Sequence, residues 1–229
     1  MAQHDPGNSH FRLATALNNP DASVRLAAAL RAGITPDRNH IALLVIRCCT
    51  EPDFFVRDML TWALTRHSQT DTLPLLLAEL NSPRAQARSQ ALHTLSKIGD
   101  PATWPAITLA HLHDPDAEVA RTAWRTAAGL APATQRDGLA GELIRELGRG
   151  DADLKRSLSR ALAMLGDAAI ALLQTAAERQ CPEVRVHARA TLRLIADPEG
   201  PFVLDPADAR PSAPLFPHAI DRSRPSGQR

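Results

Sequence analysis

Tyrosine does not occur in this chain, and phenylalanine and tryptophan make up only 3% of its 229 residues. β-Sandwiches draw on aromatic and β-branched side chains, so this shortage argues against one, and a core of Ala and Leu suits closely packed helices instead. Cysteine is scarce as well. Cys48 and Cys49 are neighbours and Cys181 lies far along the chain, which leaves no metal-ligand spacing, and an odd number argues against a disulfide framework. The formal net charge is +1, too little for the whole chain to attract polyanions, so a nucleic-acid surface would have to rest on local charge. No apolar run reaches the ~20 residues that span a bilayer. Residues 1–10 are polar and lack the basic-then-apolar order of a secretory signal. A reducing, cytoplasmic setting without a membrane partner is the expectation. Catalytic motifs are missing too, so neither enzyme activity nor a cofactor is expected.

What the sequence does have is a beat. An apolar residue, usually followed by a basic one, opens a run with small or apolar residues four, eight and eleven positions on. It reads Val24-Arg25, Val56-Arg57, Ala87-Arg88, Val119 with Arg121 two places on, Leu154-Lys155 and Val184-Arg185. The intervals between these six anchors are 32, 31, 32, 35 and 30 residues. A fixed period of this size predicts a solenoid whose units bury their apolar faces against their neighbours. Each anchor heads a helix B, on which positions +4, +8 and +11 share one face. An apolar helix A precedes it, at Phe11–Leu17, Ile41–Cys48, Leu73–Leu80, Trp104–Leu112, Leu139–Leu147 and Ala168–Ala177. Pro74 and Pro105 are placed near the starts of two A helices, where a missing N–H costs little. Acidic residues in the A–B turns are expected to cap or complement helix B. Gly99 and Gly166 follow the stripe where a helix can end left-handed.

The fold class predicted is all-α: a right-handed α-solenoid of about six antiparallel helix pairs over residues 11–197, after a polar segment at 1–10. Seven prolines fall between 198 and 229, which reads as an extended or disordered tail. Its apolar points are Phe202-Val203-Leu204 and Leu215-Phe216, one of which is expected to cover the last repeat. Overlapping PxxP spacings at Pro211–Pro217 are a weak docking signal.

The phrase of turn, Asp or Pro, Val-Arg and then Ala and Leu resembles the HEAT repeat, best in Leu73–Gly99 and Ile107–Leu130. The period is shorter than the 40–47 residues typical of HEAT arrays, so the resemblance is to the compact subclass called PBS-lyase-type HEAT repeats. It implies fold and is nearly silent on function. Deoxyhypusine hydroxylase is similar in architecture and holds two irons through His-Glu dipeptides, yet none of the nine histidines here precedes Glu. A family of alkylpurine DNA glycosylases also wraps HEAT-like repeats around a basic DNA face. No residue argues for the tetrapyrrole lyase that the subclass name suggests.

In a HEAT stack the B helices line the concave side. Positions +2, +6 and +10 lie four apart on one B-helix face, which places Asp58, Trp62, Arg66, His93, Lys97, Arg121, Arg125, Arg156 and Arg160 on a basic inner groove. The function expected is non-enzymatic binding of an acidic protein segment. The alternative is a DNA-binding or glycosylase-like protein, with Trp62 holding a base beside Asp58. Bland readings stand beside these. The anchor-plus-one cations Arg25, Arg57, Arg88, Lys155 and Arg185 pair with turns of adjacent repeats more readily than with phosphates. Phe54 and Phe55 are expected to fill the junction with repeat one. His113 and Asp114 read as helix-end caps, not metal ligands, and Cys48 and Cys49 as core residues.

Overall fold

The computed structural model describes residues 6–179 and 181–210, and the statements that follow concern those residues. Helices α1 (Pro6–Leu17) and α2 (Ala22–Ile34) form the first pair, α3 (Ile41–Cys48) and α4 (Phe54–Arg66) the second, and α5 (Gln69–Glu79) and α6 (Ala85–Ile98) the third. The fourth pair joins a 3-10 turn at Pro101–Ala106 and the short α7 (Leu109–Leu112) to α8 (Ala117–Leu130). The fifth is α9 (Arg136–Ile144) with α10 (Ala152–Leu165), and the sixth α11 (Asp167–Ala177) with α12 (Pro182–Ala196). The chain is an α-solenoid. Each even-numbered helix packs on its own pair-mate and on the even-numbered helices of adjoining pairs, giving a continuous B layer.

Local chemistry fixes the register. Asp21, Asp53, Asp116 and Asp151 are the N-caps of α2, α4, α8 and α10, each accepting from a backbone N–H of the first turn. The predicted stripes are buried at Val119, Ala123, Ala127 and Leu130 of α8, and at Leu154, Leu158, Leu162 and Leu165 of α10. Gly99 closes α6 in the left-handed region at φ 74. Gly166 also has positive φ, 62, but its ψ of −129 lies outside the left-handed helical well.

Three expectations need correction. The fourth A helix is not continuous over Trp104–Leu112, because Pro105 lies inside the 3-10 turn and the chain turns extended at Ile107 before α7 begins. Pro74 is not near a helix start: α5 begins at Gln69, so the proline lies inside it. Phe54 and Phe55 do not fill the junction with repeat one. They are 64% and 72% exposed and pack edge-to-face on each other with ring centroids 5.6 Å apart.

The anchor-plus-one arginines are structural clamps. Arg25 Nη1 donates to Asn19 O and Pro20 O of its own turn, while Nε and Nη2 donate to Glu51 of the next turn at 2.8 Å. Arg88 repeats this with Ser82 O and Asp114. Arg57 donates to Glu51 O and Pro52 O. Glu51 is buried; burial alone would raise its pKa, but hydrogen bonds from Arg25, the Asp53 N–H and Arg47 hold it at about 2. In the fourth pair the clamp position is Ala120, and Arg149 supplies the guanidinium from the following turn. It donates to Asp114 O at 2.6 Å and Pro115 O at 3.2 Å, the two carbonyls an arginine at 120 would serve.

Between successive B helices a second register recurs. Anchor position +5 of one helix meets position +7 of the next: Thr61 and Thr94 hydroxyls lie 3.5 Å apart, Ser159 and Thr191 hydroxyls 2.7 Å, and Thr126 Oγ1 donates to Leu92 O at 3.1 Å. These B-helix hydroxyls are thus satisfied between neighbouring repeats. Beyond α12, Pro206–Ala209 forms a 3-10 turn that packs on that helix. Leu215-Phe216 and the Pro211–Pro217 motif lie outside the described residues.

Candidate functional site

The B layer presents one face that neither the A helices nor neighbouring B helices cover. On α4 this face runs Phe55, Asp58, Trp62 and Arg66, all exposed. On α6 it carries His93, half-buried, and Lys97, exposed. On α8 it carries Arg121, half-buried, and Arg125, exposed, and on α10 Arg156, Arg160 and Met164, all exposed.

Four of the nine sequence-derived residues meet at the centre. Arg125 Nη2 donates to His93 Nδ1 at 3.0 Å across the α6–α8 junction. Burial, then the cations of Arg125 and Lys97, push the His93 pKa down to about 4, with Asp58 pulling the other way. His93 is therefore neutral near pH 7. Because its Nδ1 accepts, the proton sits on Nε2 and remains available as a donor. Burial, and after it the charge of Arg121, lowers the pKa of Arg125 in turn.

Two predicted residues are already engaged. Arg121 is paired with Glu118 one turn before it. Arg156 lies over the Phe202 ring, 5.8 Å from its centroid. By contrast, Arg66, Lys97, Arg125 and Arg160 have no carboxylate partner within ion-pair distance among the described residues. Trp62 is 37% exposed and lies against Gly33 of α2: a Cβ on that glycine would meet Trp62 Cζ3 at 2.3 Å and Ala63 Cα at 2.9 Å. The missing side chain at Gly33 is what lets the indole approach α2 this closely.

Sequence reasoning missed the apolar half of this face. Phe55 stands three residues before Asp58 and seven before Trp62, which helical spacing places on the same stripe. Leu30 and Ile34 continue it onto α2, 39% and 65% exposed. The surface is therefore apolar over the first repeat, mixed over the second, where Asp58 and Arg66 accompany Phe55 and Trp62, and basic over the next three. The +2/+6/+10 rows already contained Leu30, and Ile34 is the +10 residue of the first unit.

Other candidate chemistry is accounted for structurally. His111 Nδ1 accepts from the Thr108 N–H in a capping box, and its other ring nitrogen lies 3.0 Å from Leu80 O. His113 lies between Glu146 at 2.5 Å and Glu142 at 2.9 Å, and hydrogen bonding to Glu146 raises its pKa. Asp114 pairs with Arg88 and accepts from the Asp116 N–H. No group of His, Cys, Asp and Glu among the described residues could hold a metal ion. Cys48 and Cys49 are buried thiols pushed up by burial to about 11 and about 12, hence protonated and unreactive. No helix among the described residues is long and apolar enough to cross a membrane.

The family model described as HEAT repeats matches residues 41–129. No curated protein sequence matches the chain. Similar solved structures include an engineered protein 20% identical, covering 82% of this chain and 96% of its own, with a TM-score of 0.45. A second engineered protein is 18% identical, covering 81% and 98%, at 0.43. The complex of CpcE and CpcF of phycocyanin lyase from Nostoc sp. PCC7120 is 17% identical, covering 91% and 96%, at 0.36. Over residues 41–129, then, the sequence matches HEAT repeats across the helix pairs from α3 to α8.

Proposed function

We propose that this protein is a non-enzymatic binding module whose open B face holds an acidic segment of a protein partner, with an apolar side chain of that segment seated against Trp62. The observation that carries the reading is the arrangement of unpaired cations. Lys97, Arg125 and Arg160 occupy one face of three successive B helices, and the nearest histidine is held neutral beside them. A carboxylate-rich segment would offset both the partial burial of Arg125, which does most to lower its pKa, and the repulsion from Arg121. Electrostatic surfaces of this kind mainly set partner choice and on-rate. Affinity is expected to concentrate at the aromatic end, since exposed Trp beside Arg is a frequent hot-spot composition.

The test is fluorescence anisotropy with a labelled Glu-rich peptide ending in Phe, alongside a labelled DNA duplex. The peptide is expected to bind at low salt, to weaken as salt is added, and to lose about tenfold or more in affinity with Arg125→Glu and Arg160→Glu combined. Trp62→Ala is expected to weaken it by about 1–2 kcal/mol. Binding untouched by the charge reversals would overturn the reading. Retention of the duplex in preference to the peptide, with a steep salt slope, would replace it with nucleic-acid recognition on the same face.

A further inference from the structure

The end face of the first repeat is unlike any face inside the stack. In every interior junction the B-helix residue at anchor position +7 is buried, and those at 0 and +3 are buried or half-buried. Position +7 there is Ala63, Thr94, Thr126, Ala161 or Thr191, all buried. In the first repeat the same surface is Val24, Ala27 and Arg31, all exposed. An arginine at +7 is incompatible with one more ordinary repeat, which would have to bury the guanidinium opposite a hydroxyl or an apolar group.

This face is nonetheless shaped to receive something. Between α1 and α2 runs a groove of about 960 Å³, lined by apolar and small residues, among them Leu13, Ala16, Val24 and Ile34, with Arg12 and Arg31 along it. Neither arginine has a carboxylate partner within ion-pair distance among the described residues. One carboxylate on the wall, Asp37, accepts from the Asn39 N–H at 2.9 Å. A helix about 10 Å across, rising 5.4 Å per turn, fills such a volume with roughly two turns.

We propose that this groove docks an acidic amphipathic helix from a partner, with its apolar stripe on Val24 and Ile34 and a carboxylate reaching Arg31 and Arg12. The register specifies where that carboxylate must sit. In the stack, +7 is met by position +5 of the preceding helix, as Ser159 meets Thr191. A docking helix therefore needs Asp or Glu where a repeat places its +5 hydroxyl. The groove meets the open B face at Ile34, but the arginines that would select its occupant, Arg12 and Arg31, are not among the residues of that face.

The experiment uses three helix-stapled peptides of residues 152–165, one native, one with Ser159→Glu and one with Ser159→Lys, titrated against the full chain. The Glu peptide is expected to bind about tenfold more tightly than the Lys peptide, a ratio ordinary for one interfacial charge pair. Arg31→Glu is expected to invert that order, with circular dichroism checking that the exposed substitution leaves the fold unchanged. Arg125→Glu with Arg160→Glu should leave the preference intact, which separates this site from the open face. Equal binding of the three peptides, no binding, or a preference that survives Arg31→Glu would overturn the proposal. So would a dimer in sedimentation that Val24→Glu dissolves, since the occupant would then be a second copy of the chain.

Discussion

At the scale of single residues, His187 shows how far a histidine can be drawn into structure. It is fully buried on α12, where Nδ1 accepts from the Gly148 N–H at 3.0 Å and Nε2 donates to Lys155 O at 2.9 Å. Burial is the main cause that pushes its pKa down to about 4; the hydrogen bond to Lys155 O opposes it and the Lys155 charge adds to it. The unfolded chain takes up its proton near pH 6.5. The stability that the neutral ring supports is thus complete above about pH 6.5 and lost as pH falls toward 4. By pH 5 the loss from this residue alone is about 2 kcal/mol. His187→Gln is expected to be destabilising at pH 7.5 and to close about that much of its gap to the parent protein at pH 5, measured by urea unfolding at both values. His113, whose pKa moves upward, contributes in the opposite direction, but it is present in both proteins and cancels in the difference. A gap that stayed constant with pH would mean that His187 titrates normally.

At the scale of elements, the fourth repeat tests the idea that the clamp is a position and not a residue. Arg149 serves Asp114 O and Pro115 O, its Nη1 donates to Glu146 Oε2 at 2.7 Å, and its guanidinium lies 5.9 Å from the centroid of the buried Trp124 ring. Arg149→Ala is expected to cost about 2 kcal/mol, the scale of hydrogen bonds from a charged donor. Adding Ala120→Arg should recover much of it, because an arginine in that register reaches the same carbonyls in repeats one and two. Failure of the second substitution to rescue the first, in thermal or urea melts, would show the clamp to be specific to Arg149. Such exchanges mark the limit of what the sequence made legible. The period located six B helices because their buried faces repeat Ala, Val and Leu at helical spacing. It also ordered Lys97, Arg125 and Arg160 on one face. It could not reveal that Ala120 borrows a guanidinium from the next turn, since that partner follows no fixed spacing. Nor could it place Phe55, whose aromatic neighbour Phe54 suggested burial; in the structure the two rings pack on each other instead.

At the scale of the molecule, the two ends of the solenoid are finished differently. The first repeat keeps an exposed apolar groove studded with arginines. The last is covered by residues 201–210, which stand in for a seventh turn. Arg185 reaches Arg179 O of its own turn at 2.5 Å and also Ala209 O, at the place where Arg25 and Arg88 find Glu51 and Asp114. Arg189 donates to Asp208 O and Arg210 O, Arg193 donates to Val203 O and pairs with Asp208, and Phe202 meets His187 edge-on. Backbone carbonyls thus replace the carboxylates of a following repeat, and one phenylalanine replaces its apolar packing. In a stack held by nearest-neighbour contacts, removing such a cap should loosen the end before the middle. Truncation after Asp197 is expected to lower amide protection in α11 and α12 by about 2 kcal/mol while α4 to α8 keep theirs, as read by hydrogen exchange with mass spectrometry. Phe202→Ala should give the same pattern at about half the size, since only the apolar part of the cap is lost. Loss spread evenly over all six pairs would mean that the array unfolds as one unit. No loss at all would mean that these ten residues merely rest on α12 without capping it.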